Sequence, residues 1–350
     1  SRFSTAAGQA FNIDTNGQNV SYASGLTSSG GTLNKFGAGM LTLSGASSYT
    51  GATDISAGIL KVSNASALGS TAGGTTVASG ATLWLDGVTV AENISIAGTG
   101  SAAAGALVAS NTAGTSGTLT VADNASIRGD QGGTDVLNLG AISLAAGKSL
   151  ALGGGETLNI TTGTITAADT ATALTINTLG TLNLGAVGTT GNRIGAVSID
   201  SGVSTLNGIA SASTIAASSS GDMTVAGNMS TTDTSASAIV LNAGKNAAAG
   251  TASGGNLIMV SATVSTGTGG RATLYSGALA DTSLATLVGS GSGHFRYNSD
   301  ETASNFTAPL GSGLFAIYRE QPVLSVAPGA TAMTYGGSLP LLLASYSGYI

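Results

Sequence analysis

Chemistry on an extended protein surface needs ionisable side chains gathered at one place, and this chain offers few of them. Its 350 residues include 16 Asp and Glu, 10 Lys and Arg, one His and no Cys. Cleaving a polysaccharide would take two carboxylates flanking the bond, or a base beside acids on one face. The acids fall singly along the chain, apart from Asp300-Glu301 and a looser grouping of Asp130 with Asp135. His294 is the lone histidine, so a histidine metal cluster or a Ser/His/Asp triad has at most that residue to build on. We read Asp300-Glu301 as a solvated pair with a structural role, and His294 as a packing or surface residue. The expectation is therefore a chain with no catalytic residue, no metal site and no cofactor.

Other ligand classes fare no better. The glycine-rich stretches follow strand-like segments, open no helix and carry no phosphate-loop lysine. Neither an EF-hand loop nor a Gly-Gly-x-Gly-x-Asp repeat is present, so ordered calcium sites are not indicated. Net charge is −6, and the ten basic residues never cluster, which argues against nucleic acid and anionic membrane as partners. The absence of cysteine excludes a disulfide framework and suits a chain that crosses a membrane unfolded. No run of 18 apolar residues occurs, and no signal peptide stands at Ser1, so we expect either that targeting segments were removed or that this is an internal piece.

The elements that would have to position any site are short strands. Leu41-Thr42-Leu43 and Leu60-Lys61-Val62 put two aliphatics on one face and Thr42 or Lys61 on the other. Similar pairs continue, among them Leu150/Leu152, Leu158/Ile160, Leu174/Ile176, Leu182/Leu184 and Ile239/Leu241. Ile142 to Ile165 is 23 residues and Leu150 to Leu174 is 24, while neighbouring pairs lie roughly eight apart. Thr-Leu-Asn recurs at 157–159, 181–183 and 205–207, which predicts Leu158, Leu182 and Leu206 stacked inward, with Thr and Asn ladders outside. Composition agrees: 55 Gly, 7% charged and 4% aromatic residues suit a narrow core closed by pairing between coils better than a compact globule. The regular aliphatic pairs argue against low-complexity disorder, and collagen's every-third glycine is missing. The fold class expected is all-β: a right-handed parallel β-helix, three strands per coil and 23–24 residues per coil, followed by the start of a small β domain.

One stretch, 31–69, reads as a single coil written clearly, with Leu33-Asn34-Lys35-Phe36-Gly37-Ala38-Gly39, Leu41-Thr42-Leu43-Ser44-Gly45-Ala46, Tyr49-Thr50-Gly51-Ala52-Thr53 and Gly58-Ile59-Leu60-Lys61-Val62. It resembles the autotransporter-associated β-strand repeat of bacterial type V secreted passengers, departing at Gly39-Met40 where the family has Gly-Thr. Near the other end, Tyr335-Gly336, Leu339-Pro340 and Tyr346-Ser347-Gly348 resemble the start of an MBG-type module, and 270–322 resembles the junction before such modules in filamentous-haemagglutinin-like exoproteins. No aromatic residue lies between Trp84 and Tyr275, six Phe and Tyr stand from Tyr275 to Tyr318 inclusive, and all four prolines stand at Pro309 or later. We therefore divide the chain into a helix over 1–270, terminal coils and a cap over 271–321, and a truncated MBG-like module over 322–350.

The resemblance implies a non-enzymatic extracellular adhesin segment, exported through type V secretion and acting in attachment, aggregation or biofilm formation. Its implied partners are surface glycans or proteins or matrix polysaccharide, an outer-membrane translocator during export, and homotypic contacts. The alternative is a structural subunit of an extracellular matrix or filament, with a polysaccharide-acting enzyme behind both. Asn-x-Ser/Thr sequons at Asn19, Asn64, Asn93, Asn124, Asn159, Asn228 and Asn305 arise partly by chance in so Asn/Ser/Thr-rich a chain, and the resemblance adds glycosylation as a second reading.

Overall fold

The computed structural model describes residues 3–130, 133–280, 283–323, 325–328 and 344–347. They form a β-solenoid of about 13 turns. Every strand pairing in the solenoid is parallel, and the only α-helix among the described residues is the six-residue Ser283–Val288.

Two ladders run from the first turns, and a third joins at Thr89–Val90. Alternation along each strand sends every second side chain inward, and parallel register stacks those side chains turn upon turn. On the first ladder, Phe11 sits beside Leu33, then Thr53, Thr75, Ile94, Leu119 and Ile142. The second carries Leu41, Leu60, Leu83, Leu107 and Ile127. The third carries Leu137, Ile160 and Leu182. Nearly all these aliphatics are out of solvent, each contributing about 1.5–3 kcal/mol before the entropy of ordering is subtracted. The corners are stapled by side chains. Asn19, Asn93, Asn124, Asn159 and Asn228 each accept the backbone N–H of a residue in the following turn, at Met40, Thr118, Ser149, Thr181 and Thr263.

The structure bears out the coil of 23–24 residues over the middle of the chain and corrects it in the first turns. Ile142 does lie beside Ile165, and Leu150 beside Leu174. The stretch 31–69, however, is two turns rather than one, because Leu33 lands on Thr53 and Leu41 on Leu60. Each of these turns holds two strands rather than three: Thr32–Phe36 and Met40–Leu43 in one, Thr53–Ile55 and Gly58–Val62 in the next. The coil here is therefore shorter than the spacing farther along the chain predicts. The Thr-Leu-Asn repeats are also out of register by two: Leu182 sits beside Ile160 and Leu206 beside Leu184. A tight corner at Gly180 shortens that turn, so that Asn183 pairs with Thr161 and not with Asn159, while the next step of the Asn ladder holds, Asn207 Nδ2 donating to Asn183 Oδ1 at 3.3 Å. A slip of two leaves every side chain on its face, so Leu158, Leu182 and Leu206 remain in the core. Elsewhere corner loops lengthen the step, as from Ile239 to Ala272 and, longer still, from Ala272 to Leu314.

The clearest local construction is in 33–62. Lys35 occupies an inward position between Ile13 and Ile55 and is fully buried. Its Nζ donates to the carbonyls of Phe36 and Gly37 at 2.7 Å each and of Ala57 at 3.2 Å. Three donors therefore meet three corner carbonyls of two successive turns. Burial pushes the ammonium pKa down, with the Asp14 charge acting the other way. Gly58 faces this cage at φ 68°, and a Cβ there would lie 2.4 Å from the Gly39 carbonyl oxygen and 3.0 Å from Lys35 Nζ.

At the far end, the strand Gly313–Tyr318 pairs with Arg271–Ser276 on one side and with Phe295–Arg296 on the other. Phe295 and Tyr297 both stack on Tyr318, at 6.4 Å and 5.9 Å. Beyond Pro322, Ser325–Pro328 and Ala344–Ser347 form an antiparallel pair. The Tyr335-Gly336 and Leu339-Pro340 positions of the MBG-like pattern lie outside the described residues.

Candidate binding face

The outward positions of the second ladder form a row: Thr42, Lys61, Trp84, Val108 and Arg128. Trp84 lies between the inward Leu83 and Leu85, so the rule that turned Lys61 outward applies to it as well. The ring is partly exposed and fixed on several sides. Its Nε1 donates to Ser110 Oγ at 2.8 Å, and Lys61 Nζ stands 4.4 Å from the ring centre. Lys61 also pairs with Asp86 at 2.9 Å, and Ser110 Oγ and Asn111 Nδ2 each donate to Asp86 Oδ1 at 3.0 Å. Burial opposes the Asp86 charge, but these hydrogen bonds and the Lys61 ammonium outweigh it and hold the carboxyl below its ordinary pKa.

Beside the indole runs a groove of about 190 Å³, with Ile59, Thr82, Val108 and Ala104 along it and Gly129 and Asp130 at the next turn. Its wall is a loop pinned to the face: Thr82 Oγ1 donates to the Gly105 carbonyl at 2.8 Å and accepts the Ser101 N–H at 2.9 Å. Gly105, at φ 118°, makes that bend available.

Beyond the groove the structure brings Glu156, distant in sequence, to the corner that Asp130 and Asp135 share. Asp135 accepts the N–H of Asn111 on Oδ1 at 2.8 Å and that of Asp130 on Oδ2 at 3.1 Å. Glu156 Oε1 accepts the N–H of Gly129 at 3.0 Å. Burial raises the Asp135 pKa, and the neighbouring Asp130 adds to the rise. Both Asp135 oxygens and one of Glu156 are thus committed to main-chain N–H groups around 111 and 129–130. Glycoside cleavage needs two carboxyls about 5–9.5 Å apart across an open bond site. These acids hold a corner instead, while offering hydrogen-bond acceptors and negative charge at the end of the groove.

The remaining chemistry-bearing residues do not converge on this place. His294 Nδ1 lies 3.0 Å from the Leu314 carbonyl oxygen, and the ring stacks on Phe315 at 4.4 Å, a packing role. Asp300 is buried, which corrects the expectation of a solvated pair. It closes a loop on itself, accepting the N–H groups of Thr302 at 2.7 Å and Ala303 at 2.5 Å, and reaches across to the Ala249 N–H at 2.8 Å. Burial opposes its charge, yet these donors take the pKa down to about 2. Glu301 accepts the Asn246 N–H at 2.7 Å, so both acids clamp the loop around 246–249. Among the described residues no group of three or more His, Cys, Asp or Glu is placed to hold a metal ion.

Glu92 escaped the sequence reading. It is buried at the corner where the third ladder starts, takes the Thr75 hydroxyl on Oε2 at 2.7 Å, and leaves Oε1 without a hydrogen-bonding partner. Burial pushes its pKa up to about 7. A lone Glu between Ala91 and Asn93 carries no signal of burial, because corner residues do not follow the strand alternation.

Comparison with known protein families matches one stretch of the chain. Residues 33–62, the two turns that contain the Lys35 cage, match the family model of the Passenger-associated-transport-repeat. No curated protein and no solved structure matches the chain.

Proposed function

We propose that this chain is a non-enzymatic segment of an extracellular bacterial adhesin, a β-solenoid stalk that carries the Trp84 face away from the cell surface. The observation that carries the reading is a passenger-associated repeat at 33–62 built continuously into a parallel solenoid, an architecture that fits a secreted passenger domain. At about 4.8 Å per turn the stalk is roughly 60 Å long. The assignment of the acids supports a binding rather than a catalytic role: Asp135, Glu156, Asp300 and Glu301 each serve main-chain N–H groups. The strand Phe295–Arg296 on the outer edge of Gly313–Tyr318 supports a cap over 271–321, and with it a monomeric chain rather than a matrix or filament subunit. The same reading places a filamentous-haemagglutinin-like junction and an MBG-type module after the solenoid, with surface glycans or proteins as partners and an outer-membrane translocator during export.

Beads coated with the 350-residue chain test this reading. Attachment to bacterial or epithelial cells above that of bare beads, by a protein that light scattering shows to be monomeric, is the expected result. Ordered filaments in electron micrographs, with no attachment, would replace the adhesin by a matrix subunit.

A further inference from the structure

We propose that the Trp84 groove binds one hexopyranose ring of a neutral or amino sugar. The proposal rests on the adhesin reading and gives it a ligand class.

Size comes first. A volume of about 190 Å³ falls below the roughly 300–1,000 Å³ of pockets that enclose drug-sized ligands, so the groove holds a single ring rather than a chain of them. Its lining is apolar along the sides, with the indole of Trp84 and the side chains of Ile59, Val108 and Ala104. A pyranose presents a face of C–H groups that packs on such a surface, and an aromatic ring with its polar edge already bonded is the side chain best suited to receive it. Trp84 is the only Trp in the chain, and no Phe or Tyr occurs from there to Tyr275. No other aromatic side chain therefore surfaces the turns from Trp84 to Tyr275.

Charge selects among sugars. Asp130 lines the end of the groove, with Asp135 bound to its N–H and Glu156 bound to the N–H of Gly129. Carboxylates accept hydroxyl and ammonium donors and repel a second carboxylate; Asp86 already pairs the Lys61 ammonium, and Asp130 and Glu156 stand against Arg128, the next cation on the row, so uronic and sialic acids are disfavoured. The site is also fixed before any ligand arrives. Ser110 holds the indole, Asp86 holds the Lys61 ammonium beside it, and Thr82 pins the loop wall. Little ordering is left to oppose binding.

The lone tryptophan makes the test direct, since its emission reports on the groove alone. Titrating the full chain with glucose, galactose, mannose, glucosamine, glucuronic acid and sialic acid should give a saturable change for at least one neutral or amino hexose, with a Kd on the order of 1 mM. The acidic sugars should bind at least about tenfold more weakly. Ala104→Gln, on an exposed rim position, should weaken the hexose about tenfold or more with an unchanged circular dichroism spectrum, and Asp130→Asn should erase the discrimination against acidic sugars. No saturable response to any of these sugars, or equal affinity in Ala104→Gln, overturns the proposal. The bead assay separates the two readings. Attachment that persists in Ala104→Gln without a sugar response sinks the groove and leaves the adhesin, whereas a wild-type chain that attaches to nothing sinks the adhesin itself.

Discussion

Lys35, in the repeat at 33–62, and Arg319, in the last turns, are both fully buried cations, and their surroundings differ. The Lys35 ammonium spends its three donors on the carbonyls of Phe36, Gly37 and Ala57. Arg319 donates from Nη2 to the Gly255 carbonyl at 2.7 Å, while Nε and Nη1 have no partner. Asp300 and Glu301 favour its charge from a distance, against burial, which pulls its pKa down. In the repeat, one side chain ties two turns together at a corner where carbonyls converge, and the arrangement is complete within 33–62. In the last turns the chain wanders through long loops, and the loop around 246–249 is held by Asp300 and Glu301. A local motif can satisfy a buried charge fully, whereas an irregular terminus satisfies it only in part.

Removing the two charges should show this most strongly. Lys35→Met keeps the stem but strips three part-buried corner carbonyls of their donor, at the lower end of about 1–3 kcal/mol for each group left unsatisfied. We expect a total loss of about 4 kcal/mol, concentrated at 36–39 and 57–59, where hydrogen exchange should speed up several hundredfold. Arg319→Met removes a guanidinium whose desolvation is only partly offset, so its cost should stay below about 1.5 kcal/mol. Equal exchange profiles in the two variants would erase the distinction drawn between the regions.

Glu92 extends the comparison to a buried acid with one partner. Its folded-state pKa, about 7, lies above the ordinary 4.5, so the core favours the protonated form. The resulting stability is fully present below about pH 4.5 and is lost as pH rises through about 7. At 1.36 kcal/mol per pKa unit this amounts to something on the order of 3 kcal/mol. Denaturant titrations should find the native chain more stable at pH 5 than at pH 8, and Glu92→Gln should flatten that slope. A slope that survives in Glu92→Gln assigns it to other groups.

Asp300 runs in the opposite sense. Its pKa is depressed to about 2 from 3.8, so its contribution is present above pH 3.8 and lost as pH falls through 2. Asp300→Asn keeps one acceptor oxygen for the N–H groups of Thr302, Ala303 and Ala249 but loses the charge and the second acceptor. A loss of about 1–2 kcal/mol follows, seen as faster exchange at 246–250 and 300–305 with 33–62 unaffected. Changed exchange within the repeat would show that the two ends are not independent.

The strands were legible because their alternation is physical. Leu60-Lys61-Val62 could only turn Lys61 outward, and the same rule, applied to Leu83-Trp84-Leu85, would have found the candidate groove's wall. Corners were not legible. The even spacing of the Thr-Leu-Asn motifs reads as register, yet a glycine corner shortens that turn and moves Leu182 beside Ile160. The same limit hid the convergence of Asp130 and Asp135 with Glu156, and the burial of Glu92, since each depends on how far a loop travels between strands. Lys35 could be placed by the same rule, since its position in the alternation, two after Leu33, points inward.

Tyr49 offers the gentlest probe of how closed the repeat is. It is fully buried, its ring meets Phe11 edge-on at 6.2 Å, and its hydroxyl lies 2.5 Å from the inward Thr53 Oγ1. Thr53 also lies 3.4 Å from the Leu68 carbonyl, so the pair links the Tyr49 corner to the next turn. Burial raises the phenol pKa, with the Thr53 bond acting against it, and the hydroxyl stays protonated. Tyr49→Phe keeps the ring and its packing while deleting one buried hydrogen bond, and Thr53 can turn fully to Leu68. The cost should therefore be only about 1 kcal/mol, a quarter of that of Lys35→Met, with exchange faster at 49–53 and unchanged at the Lys35 corner. A loss as large as that of Lys35→Met would mean that the hydroxyl and the ammonium hold one shared network, and that the repeat is stabilised as a unit rather than corner by corner.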